Sequence, residues 1–211
     1  IYGPKGLQKI INAISNFGYF QIKYNLNIHE IEEGTVIETE DYVVECAKVE
    51  HNIPSYAYSV REKKKPLFLR EKAEALGIPP GPLYGRLHRG EEVEYEGRII
   101  KPEQVLGEAK KGKKVSYSGD TRPCEAMVRL AKDSDILIHE STYEEADYQR
   151  AVDNAHSTSV EAAKIAKEAD VKELVLTHIS TRYTSFENIK SQAQKVFENT
   201  KVAEDYMKID L

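Results

Sequence analysis

From residue 112 onward the chain alternates short apolar runs with helix-spaced segments, and this alternation restricts the fold more than any other feature. Val115-Ser116-Tyr117, Ile136-Leu137-Ile138 and Leu174-Val175-Leu176 read as three strands. Helical spacing follows over 123–132, 159–169 and 185–198, with Thr158 and Glu161 at capping-box distance. Strands joined by helices must bury their faces against those helices, so the pattern predicts an α/β body. Upstream, Leu7, Ile10, Ile11 and Ile14 mark one helical face within 7–17, after the turn Gly3-Pro4-Lys5-Gly6. The period then drops to two. Ile22, Tyr24, Leu26 and Ile28 alternate with polar residues, and strand-like runs follow at 35–39, 42–50 and 55–60.

The span 61–107 breaks this pattern. Residues 61–90 hold eight Lys or Arg against three Glu, in a chain whose formal charge is −5. Seven of the fourteen residues in 77–90 are Gly or Pro, which excludes a long helix or an interior strand there. The segment reads as a basic insertion projecting from one compact domain, with short helical character at 69–76. The overall negative charge excludes a globally basic nucleic-acid binder and leaves only a local patch for that role. Cys46 and Cys124 are too few and too far apart for a disulfide scaffold or a Cys-rich zinc module, and they fit a reduced, cytoplasmic compartment. Apolar runs of three or four residues are too short to span a membrane.

The chemistry-bearing residues follow the strands. Glu50-His51 comes after the run at 43–49, Gly119-Asp120-Thr121 after 115–118, His139-Glu140 after 136–138, and Thr177-His178 after 174–176. His156 precedes a helix, His88 belongs to the insertion, and His29 reads as ordinary strand surface. Singly, each has a plain explanation: a solvated histidine, a turn-forming aspartate, a surface ion pair. Four on one edge are harder to dismiss, because ligands of open α/β sheets bind beyond the carboxyl ends of the strands. Imidazole and carboxylate suit Zn²⁺ or Mn²⁺, and a bridging aspartate between two metals suits a hydrolase.

Ser118-Gly119-Asp120-Thr121-Arg122, His139-Glu140-Ser141-Thr142, His156-Ser157-Thr158 and Leu176-Thr177-His178-Ile179-Ser180-Thr181-Arg182-Tyr183 occur in this order. With the opening Ile1-Tyr2-Gly3-Pro4-Lys5-Gly6 and the loop Ile78-Pro79-Pro80-Gly81-Pro82, they resemble the short form of ribonuclease Z, the tRNA 3′-processing endonuclease family of the metallo-β-lactamase superfamily. The resemblance implies an αββα metallo-β-lactamase sandwich carrying an inserted basic arm. It implies zinc-dependent cleavage of precursor tRNA, two zinc ions in the full-length protein, and a cytoplasmic homodimer. His51, Asp120 and His178 match three metal ligands, with Asp120 bridging. Glu140 and His156 match the pair in which the carboxylate orients an imidazole that protonates the leaving 3′-oxygen. Arg182 matches a position near the scissile phosphate. The 61–107 insertion matches the flexible arm that grips tRNA, with Lys63, Lys64 and Lys65 as its expected contacts.

Two departures accompany the match. Ser141 stands where the family has Ala, a small-for-small change. The H-x-H-x-D-H motif that supplies most of the family's ligands is absent. In the family it precedes Gly-Pro-Lys-Gly, so the sequence is expected to be the C-terminal two-thirds of a longer, N-terminally incomplete protein, inactive alone. Two alternatives remain at this level: a relative acting on other phosphodiesters or small esters, and a metal-free tRNA-binding fragment. For His156, a ligand role and simple packing against Glu161 also remain open.

Overall fold

The computed structural model describes residues 1–17 and 22–211. In chain order the first elements are β1 (Tyr2–Gly3), α1 (Leu7–Ser15), β2 (His29–Glu30), β3 (Gly34–Glu38), β4 (Tyr42–Val49) and β5 (Ser55–Glu62). A second compact unit, residues 63–112, holds β6 (Lys65–Phe68), α2 (Arg70–Ala75), α3 (Pro82–His88), β7 (Val93–Tyr95), β8 (Arg98–Ile100) and β9 (Leu106–Lys110). The body then resumes with β10 (Lys114–Tyr117), α4 (Glu125–Ala131), β11 (Ile136–Glu140), α5 (Tyr148–Asp153), α6 (Ser159–Glu168), β12 (Glu173–Thr177), α7 (Glu187–Gln194) and β13 (Thr200–Val202).

A seven-stranded sheet, in the order β13-β12-β11-β10-β5-β4-β3, organises the body. Strands β10 to β13 are parallel, whereas β5 runs antiparallel to both β10 and β4. These directions bring the β4–β5 turn, which carries His51, to the same edge as the carboxyl ends of β10, β11 and β12. One face of the sheet packs on helices. Val49, Ala57, Leu137, Leu174 and Leu176 meet Met127 and Ala131 of α4, Ala162, Ala163, Ile165 and Ala166 of α6, and Ile189 and Ala193 of α7. Alanines let α6 lie close to the strands, and each fully buried leucine contributes about 1.5–3 kcal/mol. The opposite face presents Val60 and Tyr117, each 46% exposed.

Two local expectations are corrected. Residues 22–28 form no strand; only His29 and Glu30 pair, with Tyr2 and Gly3. Alternation alone does not make a strand when no neighbour takes up its backbone groups and Tyr24 of its apolar set faces solvent. Strand β11 does not stop at Ile138, because His139 and Glu140 pair with Leu176 and Thr177 of β12. That extra length places His139 and Glu140 on opposite faces of the sheet.

Unit 63–112 has its own small core of Ala73, Ile78, Leu87, Val93, Ile100 and Val105, with Phe68, Leu76, Leu83, Tyr84 and Tyr95 around it. It carries eleven Lys or Arg against eight Glu. Arg70 pairs with Glu74, Arg86 and Arg89 with Glu91, Arg98 with Glu96, and Lys101 with Glu92. The Lys63-Lys64-Lys65 and Lys110-Lys111 runs meet across the β6–β9 ladder, where Lys65 is registered on Lys110.

Candidate active site

Glu140 is the hub of the sheet's carboxyl edge. Its side chain is 1% exposed and accepts four hydrogen bonds, two on each oxygen. Oε1 receives the Thr121 amide at 3.0 Å and His156 Nδ1 at 2.8 Å. Oε2 receives the Thr142 amide at 3.1 Å and the Thr142 hydroxyl at 2.8 Å. Burial pushes the Glu140 carboxyl upward, but the His156 bond, the Thr121 amide, the His156 charge and the Thr142 hydroxyl outweigh it and hold it below the ordinary carboxylate range. The reciprocal effect raises His156. The bond to Glu140 is the largest cause, burial opposes it, and the charges of Glu140 and Asp120 add to it.

These bonds fix the histidine tautomers. The Thr142 hydroxyl spends its single proton on Glu140, so at 2.8 Å it accepts from His178 Nδ1. His51 Nδ1 lies 2.8 Å from the carbonyl of Ala155, which can only accept. In all three rings Nδ1 is therefore the protonated nitrogen, and the neutral imidazole offers Nε2 as a lone pair. His178 Nε2 stands 3.7 Å from Asp120 Oδ1. Ligand-capable atoms of His51, Asp120 and His156 lie within 4.8 Å of one another, as do those of Glu140, His156 and His178. The ring centroids of His156 are 5.0 Å from His51 and 5.2 Å from His178. Three oriented imidazoles and a carboxylate form a nitrogen–oxygen donor set that fits Zn²⁺ or a similar borderline cation.

Backbone geometry supports the convergence. Gly119 has φ +61°, and a Cβ there would stand 2.9 Å from the Tyr56 carbonyl, so this turn delivers Asp120 only with glycine. His178 leaves β12 at φ +53°, an uncommon conformation outside glycine and one seen at functional positions.

The structure thus gathers His51, Asp120, Glu140, His156 and His178 at one edge. His139 does not join them. It points into the helix-covered core, donates Nδ1–H to the Glu140 carbonyl at 2.7 Å, and is lowered first by burial, with that bond and nearby Glu140 and Glu161 opposing. His88 lies on α3, bonded to the Pro66 carbonyl, and His29 stacks on Tyr2. Arg182 is held by Ser180 Oγ at 3.1 Å and lies 5.1 Å over the Tyr143 ring, whose edge approaches His156. Asp147 stands 3.9 Å from Arg182 and accepts from Tyr183, whose hydroxyl is pushed up to about 12, first by burial and then by that bond. Thr142 and the Ala155 carbonyl were not singled out from the sequence. Thr142 does sit inside the His139-Glu140-Ser141-Thr142 run, but nothing local says which way its hydroxyl points.

Residues 95–179 match the β-lactamase superfamily domain. The chain is 49% identical to ribonuclease Z of Methanothermobacter thermautotrophicus over its full length, covering 69% of that protein. It is 42% identical to ribonuclease Z of Archaeoglobus fulgidus, again over its full length and 70% of the relative. Among solved structures it is similar to human tRNase Z, short form, with a TM-score of 0.65 at 24% identity, covering the whole chain and 66% of that one. The metallo-β-lactamase fold protein YhfI from Bacillus subtilis has a TM-score of 0.60 at 18% identity, with 97% and 62% covered. These two likenesses carry the fold.

Proposed function

The chain belongs to the ribonuclease Z family, and from that premise we propose that it is a zinc-dependent endoribonuclease that hydrolyses a phosphodiester at the 3′ end of precursor tRNA. The observation that carries this reading is the 2.8 Å Glu140–His156 pair beside three further ligand-capable side chains. In it His51, Asp120 and His178 would hold the metal. When bound, zinc supplies Lewis acidity towards a phosphate ester.

The chain's own residues do the rest. Glu140 orients His156 through Nδ1 and favours its protonated form, so Nε2–H can give its proton to the leaving 3′-oxygen. The same carboxylate, through Thr142, keeps His178 Nε2 free as a ligand. Arg182, steadied by Ser180 and Tyr143, offers a planar cation to the phosphate. The arm, unit 63–112, takes tRNA backbone phosphates with the lysines of its two ends, Lys63, Lys64 and Lys65 foremost. A homodimer in the cytoplasm completes the reading. No helix among the described residues is long and apolar enough to cross a membrane.

The test is a 3′-extended precursor tRNA incubated with the full-length protein and Zn²⁺. One cut leaving a 3′-hydroxyl on the tRNA is expected, with unstructured RNA of equal length left intact. Equal cutting of both substrates, or of a small phosphodiester alone, refutes the tRNA reading. His156 belongs to both ligand groupings, so its variant is decisive for its role. His156→Ala should keep its zinc and lose turnover; lost zinc would make it a ligand and overturn the general-acid role.

A further inference from the structure

Arg122 follows Asp120 by two residues, and an arginine so placed in a phosphodiesterase invites a phosphate-binding role. Its bonds say otherwise. Nη1 donates to Glu161 Oε2 at 2.8 Å and to the His156 carbonyl, while Nη2 donates to Glu161 Oε1. The two side chains are only 17% and 10% exposed. Both terminal nitrogens are committed to this fork, and the guanidinium lies 5.6 Å over the Tyr148 ring of α5. Its backbone amide donates to the carbonyl of Glu50, next to His51, at 2.7 Å. Glu161 Oε2 also accepts the Thr158 amide at 2.9 Å, which ties the fork to the start of α6. The two carbonyls flanking the His156 backbone are thus both taken: that of Ala155 by His51, that of His156 by Arg122.

We propose that Arg122 is a positioning residue: it clamps the three loops carrying His51, Asp120 and His156 into one arrangement, in which His51 Nδ1 finds the Ala155 carbonyl and His156 Nδ1 finds Glu140. The role of these groups in the reaction rests on the reading above; the clamp itself does not. Free movement of the His156 carbonyl would move the Ala155 carbonyl with it, and His51 would lose the acceptor that fixes its tautomer.

Arg122→Lys keeps the charge but loses the planar fork that donates in parallel to both Glu161 oxygens. Glu161→Gln can keep its oxygen for Arg122 Nη1 and the Thr158 amide but then turns its NH₂ toward Nη2, so it opens one arm of the fork and serves as the intermediate variant. Long-range ¹H–¹⁵N spectra of the metal-free full-length protein read the ring tautomers, a circular-dichroism melt confirms folding, and kcat and KM are measured on precursor tRNA with Zn²⁺. His51 should be in the Nδ1–H form in the wild type, a mixture in Arg122→Lys, and between the two in Glu161→Gln. The kcat of Arg122→Lys should fall about 10–100-fold with KM within about twofold. An unchanged His51 tautomer in folded Arg122→Lys overturns the clamp, and so does a rise in KM at constant kcat, which would make Arg122 a substrate contact. A shifted tautomer with unchanged turnover leaves the clamp standing and overturns the assignment of His51 and His156 to the reaction. If the wild type cuts no precursor tRNA, the proposed function falls and the tautomer spectra still decide the clamp.

Discussion

Replacing Glu140 by glutamine changes one oxygen to an NH₂ and almost nothing in volume, yet the four bonds at that carboxylate predict a large effect. Each oxygen now faces two donors. If the new NH₂ takes the Oε1 place, it meets the Thr121 amide and His156 Nδ1–H, and both lose their acceptor. If it takes the Oε2 place, the Thr142 hydroxyl can turn and accept from it, and the hydroxyl proton then points at His178 Nδ1. That reversal requires His178 to carry its proton on Nε2, the atom needed as a ligand, and it leaves the buried Thr142 amide unpaired. One unpaired buried amide costs about 1–3 kcal/mol, and exchanging a charged for a neutral acceptor at His156 costs about 1 kcal/mol more. Glu140→Gln should therefore lose about 2–4 kcal/mol in urea denaturation. Its kcat at saturating zinc should fall by about 10²–10⁴, because His156 loses the partner that orients it and favours its protonated form. His156→Ala combined with Glu140→Gln should be little worse than either alone. A loss of stability under about 1 kcal/mol, with His178 still protonated on Nδ1 in its ¹⁵N spectrum, would refute the account of Glu140 as the residue that sets both rings.

Gly119→Ala should cost about 2 kcal/mol or more by denaturant titration, because its φ of +61° disfavours an L side chain and the Cβ would meet the Tyr56 carbonyl at 2.9 Å; an unchanged midpoint would mean the turn relaxes freely. For Asp135, burial pushes its carboxyl up, but the Lys172 bond at 2.6 Å, the Lys114 amide at 2.8 Å and the charges of Lys172 and Lys113 bring it below its ordinary value. A depressed folded value means stability that is present above the unfolded value and lost as pH falls through the folded one. Asp135→Asn should melt lower than the wild type at neutral pH and converge with it in acid, and parallel melting curves at every pH would contradict this. Excising 63–112 is practicable because Glu62 and Lys113 are already joined, amide to carbonyl at 2.8 Å and amide to carboxylate at 3.0 Å. The trimmed body should stay folded by circular dichroism while binding tRNA more weakly and with a flatter salt dependence, about 0.9 less in log–log slope for each phosphate contact removed; an unchanged slope would remove the arm from the interface.

The sequence by itself determined the body's α/β class and the positions of its chemistry. Apolar runs at 115–117, 136–138 and 174–176 and their helical companions are local patterns, and strand propensity and side-chain period are read within a few residues. The residues beyond them could be picked out for the same reason. What no local pattern carried was direction and facing. That β5 runs antiparallel between β10 and β4 is what brings His51 to the edge of Asp120 and His178, and it depends on ladders between residues far apart in the chain. That β11 continues to Glu140 depends on pairing with β12, and this one added step sends His139 into the core and Glu140 to the site. Thr142, Ala155 and Arg122 act through hydrogen bonds to His178, His51, His156 and Glu161, 34 to 104 residues away, which are set only when the loops are packed together. A sequence names the groups that can do chemistry; the long-range hydrogen bonds of the folded chain decide which nitrogen carries the proton and which way it points.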